Sequence, residues 1–229
     1  MKTGQRPLAL SWRDGGHYDD YYAGQTNAAA VELLRNALDT GDCSICLHGP
    51  LGSGRTHLLL AACDEAQGGA QYLSLKRDRA EAKALLEQQP PVDLLCLDDA
   101  QHLLGVRDSE KALFDVHNRI RDAGGCLLLT EDSNAGPTAF ALPDLASRWR
   151  GATHIHLRDL NDEELARGWT MRARLRGLQP DKGVINWLLT HRPRNFYDWM
   201  TTLDQLDSAA LAQGRRLTVP FVRDQLKSN

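Results

Sequence analysis

The chain has 229 residues, enough for one large domain or two small ones with a real hydrophobic core. It is 42% hydrophobic and 25% charged, as ordinary globular proteins are, and its formal net charge of −3 argues against a chain whose main business is coating nucleic acid. No apolar run reaches membrane-spanning length, and the N-terminus lacks the apolar stretch of a signal peptide, so a cytoplasmic protein with no membrane partner is expected.

Residues 1–11 read as an extended lead. Within them Gln5-Arg6-Pro7-Leu8-Ala9-Leu10 places two leucines on one side of an extended peptide. Such a segment suits either a groove on another protein or a loose tail. A polar, aromatic stretch follows, with Tyr18, Tyr21 and Tyr22. These tyrosines line a base pocket or pack inside the domain. Val31, Leu34 and Leu38 recur at helical spacing and predict a helix over 27–38.

Ser44-Ile45-Cys46-Leu47 then reads as a buried strand, and His57-Leu58-Leu59-Leu60-Ala61-Ala62-Cys63 as a helix. Between them lie Gly49, Pro50, Leu51, Gly52, Ser53, Gly54, Arg55 and Thr56. Strand, glycine-rich loop and helix together make an anion cradle. The glycines let several backbone N–H groups converge, and the helix N-terminus adds partial positive charge. The spacing is that of a phosphate loop, except that Arg55 stands where lysine belongs. Arginine keeps the charge but not the compact, mobile ammonium, so a weak or absent intrinsic ATPase is expected.

Further strands are predicted at 71–75, 92–99, 126–130 and 153–157, with helices at 79–88 and 109–121 between them. The alternation implies an α/β fold, a parallel sheet with helices on both faces. The run Val92-Asp93-Leu94-Leu95-Cys96-Leu97 ends in Asp98 and Asp99. Beside a phosphate loop, Asp98 with Thr56 suits Mg²⁺, and Asp99 suits orienting or deprotonating an attacking water. From Asp159 onward only helices are expected, at 161–176, 181–190, 196–211 and 219–227, forming a small lid. Asn161 with Glu164 reads as a capping box. The predicted organisation is an extended peptide over 1–11, a nucleotide-binding domain over 12–158 and a helical lid over 159–229.

Five cysteines, Cys43, Cys46, Cys63, Cys96 and Cys126, include only one C-x-x-C pair and read as small buried hydrophobes of a reducing compartment. His154 and His156 fall on one strand face, but two ligands do not make a site, and no structural metal is expected. Arg172, Arg174 and Arg176 spread over a helix circumference and read as a solvated face.

The order of parts resembles an AAA+ module of the DnaA-related replication-initiator clade. Leu94 through Asp99 resembles the Walker B strand, and Leu128-Leu129-Thr130-Glu131-Asp132 the first sensor. Leu142-Pro143-Asp144-Leu145-Ala146-Ser147-Arg148 is similar to the box that carries the arginine finger, and Arg194 to the second-sensor arginine. Met171-Arg172-Ala173-Arg174-Leu175-Arg176-Gly177, Leu203-Asp204-Gln205-Leu206-Asp207 and Thr218-Val219-Pro220-Phe221-Val222 resemble the Hda-type regulators within that clade.

The resemblance implies ADP or ATP with Mg²⁺ as cofactors. It implies nucleotide contacts from Gly49, Pro50, Gly52, Ser53, Gly54, Arg55, Thr56, His57, Asp132 and Arg194, and Mg²⁺ held by Asp98 and Thr56. It implies two partners: DnaA, whose ATPase site Arg148 completes in trans, and the β sliding clamp of DNA polymerase III, taken by Gln5, Leu8 and Leu10. DNA is then met through the clamp, in a nucleoid-associated cytoplasmic protein, and a homo-oligomer is possible within the class. The implied outcome is regulatory inactivation of DnaA, a brake on replication initiation. The chain stops at Asn229, after the lid, where an initiator is expected to continue into a DNA-binding domain. The alternatives are a DnaC-like helicase loader or another P-loop ATPase.

Overall fold

A computed structural model describes residues 16–40, 44–134 and 140–227. The peptide with Gln5, Leu8 and Leu10 lies outside the described residues. The first unit contains helices α1 (Gly24–Asp39), α2 (Arg55–Glu65), α3 (Arg79–Gln88), α4 (Arg107–Asp122) and α5 (Pro143–Arg150). Its strands are β1 (Ser44–Gly49), β2 (Ala70–Ser74), β3 (Leu94–Asp98), β4 (Cys126–Asp132) and β5 (Thr153–His156). All strand pairings are parallel, in the order β2-β3-β4-β1-β5.

The near-continuous apolar runs of β3 and β4 require cover on both faces, and they receive it. Cys46, Leu95, Leu97, Leu127 and Leu129 point to one face, under Leu86, Leu113, Val116, Leu145 and Trp149. Ile45, Leu47, Leu94, Cys96 and Leu128 point to the other, under Leu34, Leu58 and Leu59. The period-two alternation of each strand divides the residues in this way. On the edge strand β5 only Ile155 is buried. Cys46 and Cys96 are buried free thiols, as expected. Cys126 corrects the reading of all five cysteines as reduced hydrophobes, because it is disulfide-bonded.

The second unit is the helical lid: α6 (Asp162–Leu175), α7 (Lys182–His191), α8 (Phe196–Gln213) and α9 (Val219–Lys227). It has its own core around Trp169, Trp199, Leu203, Leu206, Phe221 and Val222. The buried Trp169 indole N–H donates to the Trp199 carbonyl at 3.0 Å, and the two rings meet edge to face. The capping box at the start of α6 is present. At the exit from β5, the buried Asn27 side chain of α1 donates to the Arg158 carbonyl and accepts from the Arg158 N–H, fixing the segment that leads to the lid. Among the described residues, no helix is long and apolar enough to cross a membrane.

Candidate functional site

The loop after β1 turns on two left-handed glycines, Gly52 at φ 86° and Gly54 at φ 88°. Gly54 caps α2, so the free N–H groups of that helix open toward the turn. Both glycines are also sites of close approach. A Cβ on Gly52 would stand 2.6 Å from the backbone nitrogen of Tyr197 in the lid, and one on Gly54 would strike the Tyr21 ring. The Tyr21 hydroxyl donates to the Ser53 carbonyl at 2.8 Å and fixes the loop from above.

Loop and lid enclose a cavity of about 1140 Å³. Its walls include Tyr21, Tyr22, Arg158, Arg172, Phe196 and Tyr197, and its floor runs from Gly52 to the ends of β3 and β4. Tyr22 lines the cavity, Tyr21 both lines it and packs against the core of the sheet, and Tyr18 packs there alone, under Arg35. His57 is buried on the cavity wall, with Nε2 2.8 Å from the His17 carbonyl.

At the strand ends, Asp98 Oδ2 accepts from the Thr56 hydroxyl at 2.7 Å and from the Tyr72 hydroxyl at 2.9 Å. Asp98 Oδ1 accepts from the Thr130 hydroxyl at 2.5 Å. Burial and the neighbouring Asp98 carboxylate push the Tyr72 hydroxyl pKa up, so it stays a donor. Thr130 also accepts from the Asp99 N–H at 2.8 Å, which ties β4 to the end of β3. Asp99 itself sits at a left-handed φ of 60°, uncommon for a residue with a side chain. Its carboxylate accepts from the Gln101 amide at 3.1 Å.

Arg55 lies in the cleft between two carboxylates, 3.9 Å from Asp99 and 3.7 Å from Asp132. These separations are too long for strong hydrogen bonds. Its Nη1 is buried without a hydrogen-bond partner, and so is the Ser53 hydroxyl in the same loop. Buried donors without acceptors are costly. An anion at the loop would supply the acceptors that both lack, so the residues present fit a polyphosphate.

The lid contributes two arginines that the sequence reading placed in solvent. Arg172 is 5% exposed, lines the cavity and donates to the Asp20 carbonyl at 3.0 Å. Arg176 also lines it and pairs with Asp204 at 2.7 Å. Only Arg174 of the three is exposed. The missed signal was positional: Leu165, Trp169 and Arg172 follow one helical stripe on the buried side of α6, and Arg176 continues it at the helix C-cap. Arg194 is placed on the exposed rim of the lid, paired with Asp162 at 2.8 Å, and is not among the cavity-lining residues. Arg148 is exposed on α5, also away from the cavity, beside the buried Leu145 and Trp149.

A parallel sheet in this strand order, a phosphate loop after its first strand and a helical lid over that loop define an AAA+ module. Residues 162–226 match the family described as "Hda, lid domain". A Haemophilus influenzae protein of uncharacterised function is 34% identical over 224 residues, covering 96% of both chains. Domain III of the Thermotoga maritima replication initiation protein DnaA superposes with a TM-score of 0.78 at 18% identity, covering 93% of this chain and 96% of that one. Replication initiator DnaA bound to AMPPCP and single-stranded DNA gives 0.70 at 22%, covering 90% and 70%. The Thermotoga maritima RuvB Holliday junction branch migration motor gives 0.69 at 16%, covering 94% and 72%. The chain belongs to one family with the Haemophilus influenzae protein, and its AAA+ fold carries a lid of the Hda type.

Proposed function

We propose that this protein holds an adenine nucleotide, ADP or ATP, in the cavity between loop and lid, and uses Arg148 to complete the ATPase site of DnaA. The phosphates lie against the N–H groups of the loop, with Ser53, Arg55 and Thr56 beside them. Thr56 and Asp98 would hold Mg²⁺, which neutralises phosphate charge when bound. The lid closes the cavity through Arg172 and Tyr197. Bound nucleotide thus fixes lid against core and sets the shape of the molecule.

One observation carries the catalytic half of this reading: Arg148 is exposed on an anchored helix and does not line the cavity of its own chain. An arginine so placed is free to reach a phosphate bound by a neighbour. There it stabilises the charge that develops as the terminal phosphoryl group leaves. The peptide of Gln5, Leu8 and Leu10 would dock on the β sliding clamp, and a clamp loaded on DNA would concentrate the regulator near DnaA. DnaA left with ADP then fails to restart initiation.

The test is DnaA-bound ATP hydrolysis with DNA-loaded clamp and nucleotide-saturated protein. Arg148→Ala should remove most of the stimulation, by a factor on the order of 10³ for a finger acting in trans, while keeping fold and nucleotide binding. Undiminished stimulation by that variant sinks the reading. Deletion of residues 1–11 should abolish clamp capture while leaving Arg148 intact.

A further inference from the structure

Strand pairing assembles a second cluster of chemistry on the outer part of the sheet, distinct from the phosphate loop. Parallel register sets Cys46 beside His154 and His48 beside His156, and on the other side of β1 it sets His48 beside Glu131. Cys46 and His48 are two apart, so both leave β1 on one face. His48 Nε2 lies 2.8 Å from His154 Nδ1. His48 Nδ1 lies 3.4 Å from Glu131 Oε2, and His154 Nε2 lies 2.9 Å from the Trp149 carbonyl oxygen. Ligand atoms of Cys46, His48 and His154 all fall within 4.8 Å of one another.

Counting donors shows what this arrangement offers. A neutral imidazole carries a single N–H. His154 Nε2 gives its hydrogen to the Trp149 carbonyl, which only accepts, so His154 Nδ1 is a bare lone pair that accepts from His48 Nε2. His48 Nδ1 stands 3.4 Å from the Glu131 carboxylate, beyond an ordinary hydrogen bond but on the side where a hydrogen would be accepted. Moving the His48 hydrogen from Nε2 to Nδ1 turns it to that carboxylate and leaves two imidazole lone pairs beside one gap, open to a metal ion.

Two observations favour the metal. Cys46, a fully buried free thiol whose S–H is turned to Glu131 Oε2 at 4.0 Å, stands beside the same gap as a third donor. The outer partners also match those of metal-bound histidines, whose remaining N–H goes to a carboxylate or a backbone carbonyl that fixes tautomer and ring orientation.

We propose that Cys46 Sγ, His48 Nε2 and His154 Nδ1 form a zinc site, with Glu131 and the Trp149 carbonyl orienting the two imidazoles. Two nitrogens and a sulfur suit Zn²⁺ and not the oxygen-seeking Mg²⁺ of the phosphate loop. Imidazole nitrogens on a tetrahedral zinc stand about 3.4 Å apart, so binding separates the two nitrogens by about 0.6 Å and turns the rings out of their present in-line contact. Binding releases the thiol proton to solvent and leaves the thiolate on the metal. A water takes the fourth position, because His154 lies on the exposed edge strand. His156 is not a ligand: its ring lies face to face with that of His48, 15° from parallel at 4.6 Å between centroids. The ion would bind β5 to β1 and, through Trp149, secure the end of α5.

The test uses the full untagged chain, stripped with chelator under reducing conditions and titrated with Zn²⁺ against a chromophoric chelator. Stoichiometric binding is expected, not displaced by excess Mg²⁺. Co²⁺ in its place should give a thiolate-to-cobalt charge-transfer band, absent in Cys46→Ser. His154→Ala should lower Zn²⁺ affinity by more than about tenfold, Glu131→Gln by about tenfold, and His156→Ala by little. Should Cys46→Ser fail to fold, the exposed His154→Ala variant and the cobalt band of the wild type decide. Failure of the wild type to take up stoichiometric Zn²⁺, or unchanged affinity in His154→Ala, overturns the proposal.

Discussion

Glu164 ties the lid to the core. Its Oε1 accepts from the N–H groups of Gln25 at 2.7 Å and Thr26 at 3.0 Å. Its Oε2 accepts from the Thr26 hydroxyl at 2.6 Å and from the Asn161 N–H at 3.2 Å. Ala23 gives α1 no side-chain cap, so a lid carboxylate supplies one across the domain boundary. The same carboxylate closes the capping box of α6. One negative charge thus serves two helix N-termini, where the dipole favours it.

Glu164→Ala removes a cap worth about 1 kcal/mol at each helix and strands N–H groups that are partly shielded from water, for a total of about 2–4 kcal/mol. Glu164→Gln keeps an acceptor oxygen and the shape but loses the charge, for about 1 kcal/mol. Acidity supplies a second signature. The Thr26 hydroxyl first, then the N–H groups of Thr26, Asn161 and Gln25, hold the Glu164 pKa below its ordinary value of 4.5, against the opposing effect of burial. A carboxyl whose pKa is depressed by folding contributes its stabilisation in full above the unfolded value and loses it as pH falls through the folded one. The stability gap between wild type and Glu164→Gln should therefore be constant near neutrality and shrink below about pH 4.5. Urea denaturation at a series of pH values measures both effects. Equal stability of Glu164→Ala and wild type at pH 7, or a gap to Gln that grows on acidification, refutes the reasoning.

Arg172→Ala should weaken nucleotide binding by about tenfold in fluorescence titration, since it removes a buried cation from the cavity wall, whereas Arg194→Ala, at an exposed ion pair, should change it by less than about twofold. Gly52→Ala forces a side chain into a left-handed position, at a cost of about 1–2 kcal/mol, and against Tyr197; both thermal stability and nucleotide affinity should fall, and an unaffected affinity would detach the lid from the loop. Arg55→Lys should raise intrinsic ATP turnover or shift the ADP-to-ATP preference, read by single-turnover hydrolysis and competition binding; identical behaviour would mean that the guanidinium is not what restrains hydrolysis.

Local pattern carried the fold, and distance in sequence hid parts of the site. Apolar runs ending in carboxylates and glycine-rich spacing placed β1, β3, α2 and the loop, because each depends on residues close along the chain. The pairing of Cys46 with His154 was invisible, since β5 follows β1 by more than a hundred residues and only sheet order makes them neighbours. Arg172 and Arg176 were misread for a different reason. Charge suggested solvent, while the stripe set by Leu165 and Trp169 pointed inward, and packing of α6 on the core overrode polarity. Tyr72 was read only as part of a strand, yet the same strand pairing sets Ser74 beside Asp98 and brings the Tyr72 hydroxyl onto that carboxylate.

The charges around Arg55 bear on whether the cavity is built to hydrolyse or to hold. An attacking water needs a carboxylate that is free to orient it and room beside the terminal phosphate. Here Asp99 has its N–H fixed by Thr130 and its carboxylate engaged by Gln101, and the Arg55 guanidinium lies between it and Asp132. A planar, buried cation in that gap faces two carboxylates at once without a close hydrogen bond to either, whereas a lysine ammonium would follow a single moving phosphate. Asp98, by contrast, remains suited to a cation. The Thr56 hydroxyl donates to it and, as a hydroxyl, retains lone pairs with which it would bind the proposed Mg²⁺. On the proposed reading, the site favours retention of a nucleotide over its turnover. That is the property required of a protein whose exposed arginine is proposed to act on ATP held by another chain.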